Sequence, residues 1–217
     1  MSTHQNRCRL VLIAPDIADA DQLAGILKAA LAGGDVATVI LAQRKMDEQS
    51  FQKACEAAMP VIHAAGAAVL VAGDSRIVGR VRADGLHVEG NAAAVAEAVE
   101  RYAPGIMVGG GNARDRHTAL AIGESQPDYV FFGGLDGDIK PEPHSKNLAL
   151  AEWWADIIAI PCVLMGGSDP SHALEMAETG AEFIAFGKAV FDTPEEAGRI
   201  VAEINAALDE KAPRFDR

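Results

Sequence analysis

The sequence predicts a single-domain (β/α)8 barrel, and three observations carry that prediction. Short apolar runs alternate eight times with amphipathic segments. The runs are apolar on consecutive positions, as strands buried on both faces of a parallel sheet require. Two of them, Val163-Leu-Met-Gly166-Gly167 and Phe183-Ile-Ala-Phe186-Gly187-Lys188, end in glycine just before a helix-like segment; such a barrel builds its phosphate cradle there, after strands seven and eight. At 217 residues, 49% hydrophobic and 23% charged, the chain can fill one substantial core and is short for two. A doubly wound open sheet is the alternative alternation of strand and helix, but it normally needs fewer units, and no G-x-G-x-x-G is present.

The elements follow in order. Strand one is 10–14, closed by Pro15-Asp16, and its helix is 19–32, where Leu23, Ile26, Leu27, Ala30 and Leu31 fall at helical spacing. Gly33-Gly34 stops that helix. Strand two, 36–41, precedes a long amphipathic stretch that opens at Asp47-Glu48, runs to Ala65 and ends at Gly66. Strand three is 67–71 with a short helix over 75–81, strand four is 85–88 with an alanine-rich helix over 91–102, and strand five is 105–108 with a helix over 113–122. Strands six, seven and eight are 129–132, 161–165 and 183–186, with helices over 145–157, 171–179 and 194–208. Ala-Asp-Gly, Pro-Asp-Tyr and Gly-Ala-Glu precede strands four, six and eight, and read as turns capped by their acidic residue. The tail over 209–217 is charged, carries Pro213 and is expected to fray.

Composition narrows the function. A net charge of −12 leaves no basic stripe for a nucleic-acid backbone or an anionic membrane, so any anion site is local. Cys8, Cys55 and Cys162 are odd in number and in no metal-ligand spacing, which predicts reduced thiols. There is no signal-peptide pattern and no apolar stretch of roughly 18 residues. A soluble, cytoplasmic protein is expected, with a phosphorylated small molecule as ligand and homo-oligomerisation left open.

Chemistry in such a barrel gathers at the C-terminal strand ends. Gly166, Gly167, Gly187 and Lys188 would present backbone N–H groups to a phosphate. Asp74 either holds a divalent cation or caps the helix that begins at Ser75. His87 is either a core histidine or a group at the mouth. Lys140 lies in a long connection, 133–144, of the kind that forms lids, and either reaches a phosphate or is solvated. Arg44-Lys45 could meet a second anionic group or be surface charge. The triple glycine 109–111 has the wrong spacing for a dinucleotide turn.

Several segments together resemble the thiamine phosphate synthase family, including its thiazole tautomerase relatives: Leu10-Val-Leu-Ile-Ala-Pro15, Ala83-Asp-Gly-Leu-His-Val88, Asp128-Tyr-Val-Phe-Phe-Gly133, Met165-Gly-Gly167 and Phe186-Gly187. The resemblance implies a barrel enzyme that joins a pyrimidine methyl pyrophosphate to a thiazole phosphate, with magnesium helping pyrophosphate leave. It implies that Gly166, Gly167 and Gly187 cradle the thiazole phosphate, Asp74 holds the metal, His87 is the strand-four histidine and Lys140 the loop lysine. The departures concern the leaving group. The family's Gln-x-Arg-x-Lys falls on Ile40, Ala42 and Arg44, unless a shift of one or two residues brings in Gln43 and Lys45. The asparagine before the metal aspartate is Gly73, the second metal aspartate is Ala92, the strand-six hydroxyls give way to Asp136, Gly137 and Asp138, and the tautomerase histidine is Ala113.

The expected function is therefore a divergent thiamine phosphate synthase-like transferase, with Arg44, Lys140 and His87 as catalytic residues, Lys188 beside the cradle and Mg2+ on Asp74. Two alternatives stand beside it. One is a non-catalytic binder of a phosphorylated thiamine-related ligand. The other is an aldolase or epimerase, using Lys140 or Lys188 as a Schiff-base lysine or Asp74 and His87 as an acid/base pair.

Overall fold

The protein was analysed as a computed structural model, which describes residues 6–111 and 113–215. Eight parallel strands close in sequence order: β1 (Arg9–Ile13), β2 (Val36–Ala42), β3 (Ala68–Ala72), β4 (Gly85–Val88), β5 (Met107–Gly110), β6 (Tyr129–Phe132), β7 (Cys162–Met165) and β8 (Phe183–Phe186). Their connections carry α1 (Ala20–Leu31), α2 (Glu48–Ala64), α3 (Ser75–Val81), α4 (Ala92–Tyr102), α5 (Arg116–Gly123), α6 (Ser145–Ile157) and α7 (Ala173–Glu178), while α8 (Lys188–Phe191) and α9 (Ala197–Lys211) follow β8. Since β1 pairs with both β2 and β8, the sheet has no edge. The expected (β/α)8 barrel is the fold.

Both faces of each strand are apolar because both are buried. Val11, Ile13, Ile40, Leu70, Phe131 and Met165 fill the barrel interior, while Leu10, Leu12, Val39, Val69, Phe132 and Leu164 pack under the helices. Cys8, Cys55 and Cys162 are free and buried in this layer, and burial pushes their thiols up, Cys55 to about 12. No helix among the described residues is long and apolar enough to cross a membrane.

Strand five begins two residues later than its apolar run suggests. The N–H groups of Gly105 and Ile106 both donate to the Tyr102 carbonyl (2.9 and 3.2 Å) and complete the end of α4; the ladder starts at Met107, which donates to Asp84 O at 3.0 Å. Gly109 and Gly110 therefore enter the strand. A Cβ on Gly109 would fall 1.8 Å from Cζ of Tyr129, so the missing side chain is what lets the phenol ring lie inside the barrel. Packing thus explains Gly109 and Gly110, and the triple glycine is no nucleotide loop.

The acidic residues before the even strands act across strands, not within their own turns. Asp84 accepts from Val69 N–H of β3 (2.7 Å), Asp128 from Val108 N–H of β5 (2.7 Å), and Glu182 from Cys162 N–H of β7 (3.0 Å). Each satisfies a donor where a strand begins, at the N-terminal face of the barrel.

Up to Phe215 the C-terminal segment is bonded to the start of the chain. Helix α9 continues to Lys211. Arg7, fully buried, donates to Asp209 Oδ1 (2.8 Å) and Asn205 Oδ1 (2.9 Å). It also forms a β-bridge with Arg214, and Phe215 N–H donates to Asn6 O at 2.7 Å. Residues 216 and 217 lie outside the described residues, as do 1–5 and Asn112.

Two glycine substitutions separate these packing roles from the ordinary cost of glycine. Gly109→Ala drives a methyl group into Tyr129 and is expected to destabilise the protein by about 1–3 kcal/mol. Gly25→Ala, in α1 with nothing within 4 Å of the added Cβ, is expected to stabilise it by about 0.5–1 kcal/mol. Urea midpoints of the two variants measure both effects.

Candidate active site at the barrel mouth

His87, on β4, points into the barrel beneath the mouth and is buried. Its Nδ1 lies 2.7 Å from the Tyr129 hydroxyl, its ring stacks on Tyr129, and Phe131 meets it edge-on. Burial lowers its pKa to about 4 and raises that of Tyr129 well above the usual phenol value. Near neutral pH the pair is therefore a neutral imidazole and an un-ionised phenol. The buried hydroxyl proton needs an acceptor, and Nδ1 is the one in reach. That fixes the imidazole N–H on Nε2, which faces Gly111: a Cβ there would lie 3.2 Å from Nε2. His87 thus presents a hydrogen-bond donor, not a general base, to a ligand above it.

Two cavities meet at His87. One, of about 310 Å³, lies toward β3 and α4 and includes Gly73, Ser75, Glu89 and Tyr102. The other, of about 500 Å³, lies over β4, β5 and β6 and is bounded by Glu89, Arg114, His144, Lys146 and Asn147. Glu89 is exposed at the rim, where partial desolvation raises its pKa, aided by Asp136 and opposed by Arg44. Arg114, Lys146 and Asn147 were not singled out in the sequence because they sit in loop and helix-start positions where charge is normal.

Arg44 also reaches the mouth, from a left-handed turn after β2 (φ 42°). Its Nε donates to Asp136 Oδ1 (2.8 Å) and its Nη1 to Ala14 O (3.1 Å). It joins the β2 turn to β1 and to the β6–α6 loop. Gln43, the residue beside it, accepts from Asp74 N–H through Oε1 (3.2 Å) and supports the backbone after β3. Lys140 is exposed and borders a separate cavity of about 400 Å³ with Ile139, Glu142 and Pro143.

Asp74 is a helix cap. Oδ1 accepts from Arg76 N–H (2.9 Å), and the Arg76 guanidinium contacts both oxygens at 2.5–3.0 Å. Those contacts hold its pKa down to about 2. The position where the resemblance places a second carboxylate is Ala92. Among the described residues no group of three or more His, Cys, Asp or Glu side chains could hold a metal ion. With its carboxylate clamped by Arg76 and alanine at position 92, Asp74 does not fit magnesium, and the same clamp occupies the carboxylate that an Asp74–His87 acid/base pair would use.

The glycine cradle is formed, but it is filled from within. Gly166 N–H donates to Ala185 O (2.9 Å), extending the ladder. Ser168 N–H donates to Lys140 O (2.8 Å) and Asp169 N–H to Pro141 O (3.1 Å). A Cβ on Gly167 would fall 2.0 Å from Pro141 O. At the start of α8, Lys188 N–H donates to Oδ2 of the buried Asp138 at 2.5 Å, and Lys188 Nζ lies 3.9 Å from Oδ1. The β6–α6 loop thus takes the Lys188 amide, which was expected to face a phosphate, together with those of Ser168 and Asp169.

The low pKa of His87 makes stability depend on pH. The unfolded imidazole takes up a proton below about 6.5 and the folded one only near 4. The contribution of neutral His87 is full above the first value and is lost as pH falls toward the second, amounting to on the order of 3 kcal/mol. His87→Gln is expected to flatten the fall in stability between those values, read from denaturant midpoints at a series of pH values.

Comparison with known proteins extends this picture beyond the mouth. The profile of the family described as thiamine monophosphate synthase matches residues 10–190. The thiamine-phosphate synthase of Rhodospirillum centenum is 30% identical over 93% of this chain and 98% of its own length. That of Hyphomonas neptunium is 30% identical over 95% and 96%. The thiamine phosphate pyrophosphorylase structure from Pyrococcus furiosus superposes with a TM-score of 0.72 over 92% of this chain and 98% of that one, at 20% identity. Since the likeness runs through every strand and spans nearly the whole length of both relatives, the chain belongs to the thiamine monophosphate synthase family.

Proposed function

We propose that the chain is a transferase of the thiamine phosphate synthase type, joining a pyrimidine methyl group carried on pyrophosphate to the nitrogen of a thiazole. Family membership supports the reaction class. The observation that supports the site is the 500 Å³ cavity with neutral His87 at its floor and Arg114 and Lys146 at its rim. In the reaction the methylene–oxygen bond of the donor breaks and its electron pair leaves with pyrophosphate. The thiazole nitrogen lone pair forms the new carbon–nitrogen bond, and no protein nucleophile or proton transfer is needed.

Three side chains contribute in this reading. Nε2–H of His87 donates to an acceptor atom of the pyrimidine donor and orients it. Arg114 and Lys146 face the charge that develops on the leaving oxygens, where fixed cations lower the barrier. The guanidinium of Arg44, held by Asp136 and Ala14, positions the loop that walls the cavity, so the burden placed on Arg44 and Lys140 by sequence passes to Arg114 and Lys146. Because Asp74 does not fit magnesium, no step is assigned to a metal.

The clamp on Asp74 also favours a second reading, a non-catalytic binder of thiamine-related ligands. One experiment separates the two. Purified protein is incubated with the pyrimidine methyl pyrophosphate and either the thiazole phosphate or the thiazole alcohol, and product is followed by chromatography. Turnover is expected, with EDTA changing the rate by less than about twofold and Arg114→Ala lowering kcat/KM by about tenfold or more. Binding of both substrates without product above the uncatalysed rate would establish the binder instead.

A further inference from the structure

Glu89 follows His87 on the same side of the barrel wall. Leu86 and Val88 pack outward into the helical layer, while His87 meets Phe131 of the interior. The ladder runs on past β4 through Gly111 N–H to Val88 O at 2.9 Å. Alternation along an extended chain therefore sends Glu89 to the inward side, one layer nearer the mouth and about 7 Å along the strand from His87. These two residues are also the ones that both cavities at the mouth share.

The Glu89 carboxylate is not committed to the protein. Arg44 and Asp136 act on it through space, but the Arg44 guanidinium is bonded to Asp136 at 2.8 Å and to Ala14 O at 3.1 Å. Among the described residues no amide, hydroxyl or cation is hydrogen-bonded to Glu89. In a cavity that takes a pyrophosphate against Arg114 and Lys146, such a carboxylate opposes binding unless the ligand gives it a hydrogen bond.

The two groups define the edge of that ligand. His87 offers a donor, Nε2–H, and an ionised carboxylate offers acceptors only. A ring nitrogen flanked by an exocyclic amino group presents the complement, an acceptor beside a donor. The oxo form of the same ring presents the reverse, a ring N–H beside a carbonyl oxygen, and leaves both protein groups unmatched. We propose that Glu89 selects the heterocycle of the donor substrate, accepting from an amino group on the pyrimidine while His87 Nε2–H donates to the ring nitrogen next to it. The proposal rests on the pyrimidine-donor reading above and deepens it. The amino edge lies toward β4 and the pyrophosphate toward Arg114 and Lys146, across the same 500 Å³ cavity. Glu89 is a specificity residue; it takes no part in the bond that forms.

Calorimetric titration of the amino and oxo forms of the pyrimidine methyl pyrophosphate into the full chain, Glu89→Gln and Glu89→Asp tests this. The unsubstituted protein is expected to bind the amino form about a hundredfold or more tightly. A carboxamide can turn either its oxygen or its amino group toward the ring, so Glu89→Gln is expected to narrow that preference by about tenfold or more. Glu89→Asp keeps the acceptor and is expected to retain the preference at lower affinity. Glu89 is exposed, so neither substitution is expected to move the urea midpoint. If Glu89→Gln discriminates as strongly as the unsubstituted protein, the proposal is overturned and the donor reading stands. Equal or reversed affinities for the two forms in the unsubstituted protein have the same meaning. If neither form binds the unsubstituted protein, the pyrimidine-donor reading fails and the role of Glu89 falls with it.

Discussion

A closed barrel of short strands has a fixed interior, and the side chains inside it must share that volume. Five of the eight strands are four residues long, so each sends only about two residues inward. Large residues on one strand require small ones on its neighbours. A Cβ on Gly85 would collide with Leu70 and Met107, and one on Gly109 with Tyr129. The second accommodation reaches the chemistry. Space at Gly109 admits the phenol, the phenol occupies Nδ1 of His87, and the remaining nitrogen is left to face the mouth as a donor. A volume constraint in the sheet thus ends as a proton position at the site.

Above that layer the mouth is organised by one loop. The β6–α6 connection reaches Arg44 through Asp136, β7 through the carbonyls of Lys140 and Pro141, and α8 through Asp138. These contacts make the loop a wall shared by several cavities. They also divide the mouth by charge. Its β1 and β8 side is rich in carboxylates, and its β5 and α6 side presents Arg114 and Lys146. A substrate with one anionic end and one neutral or cationic end is oriented by that division before any single hydrogen bond is considered.

The sequence showed the architecture well because its signals are local. Consecutive apolar residues mark strands with two buried faces, and Asp19, Asp47 and Asn91 mark helix starts where each caps an N–H three residues on. Strand five was misplaced by two residues because glycine carries no strand signal; only the ring of Tyr129, twenty residues later, explains Gly109. The acidic lead-ins were visible but their partners were not, since they bond to a neighbouring strand. The site was legible as a set of strand ends and not as an arrangement. Arg76 two residues beyond Asp74 was in plain sight, but whether Asp74 faced a metal or its own helix depended on side-chain direction. That Asp138 would fill the cradle depended on a loop folding back across fifty residues of chain.

The seam between the last strand and the first is closed twice, once by the ladder from β8 to β1 and once by the two ends of the chain. Buried Arg7 and Arg214 form their β-bridge where β1 begins, and Asn205 joins Arg7 to the carbonyl of Asp35 at 3.1 Å, ahead of β2. That is the face opposite the barrel mouth. Asn6 and Phe215 are therefore neighbours on the side away from the mouth, so a link between those two positions, or a tether to another protein at either, would leave the mouth unobstructed.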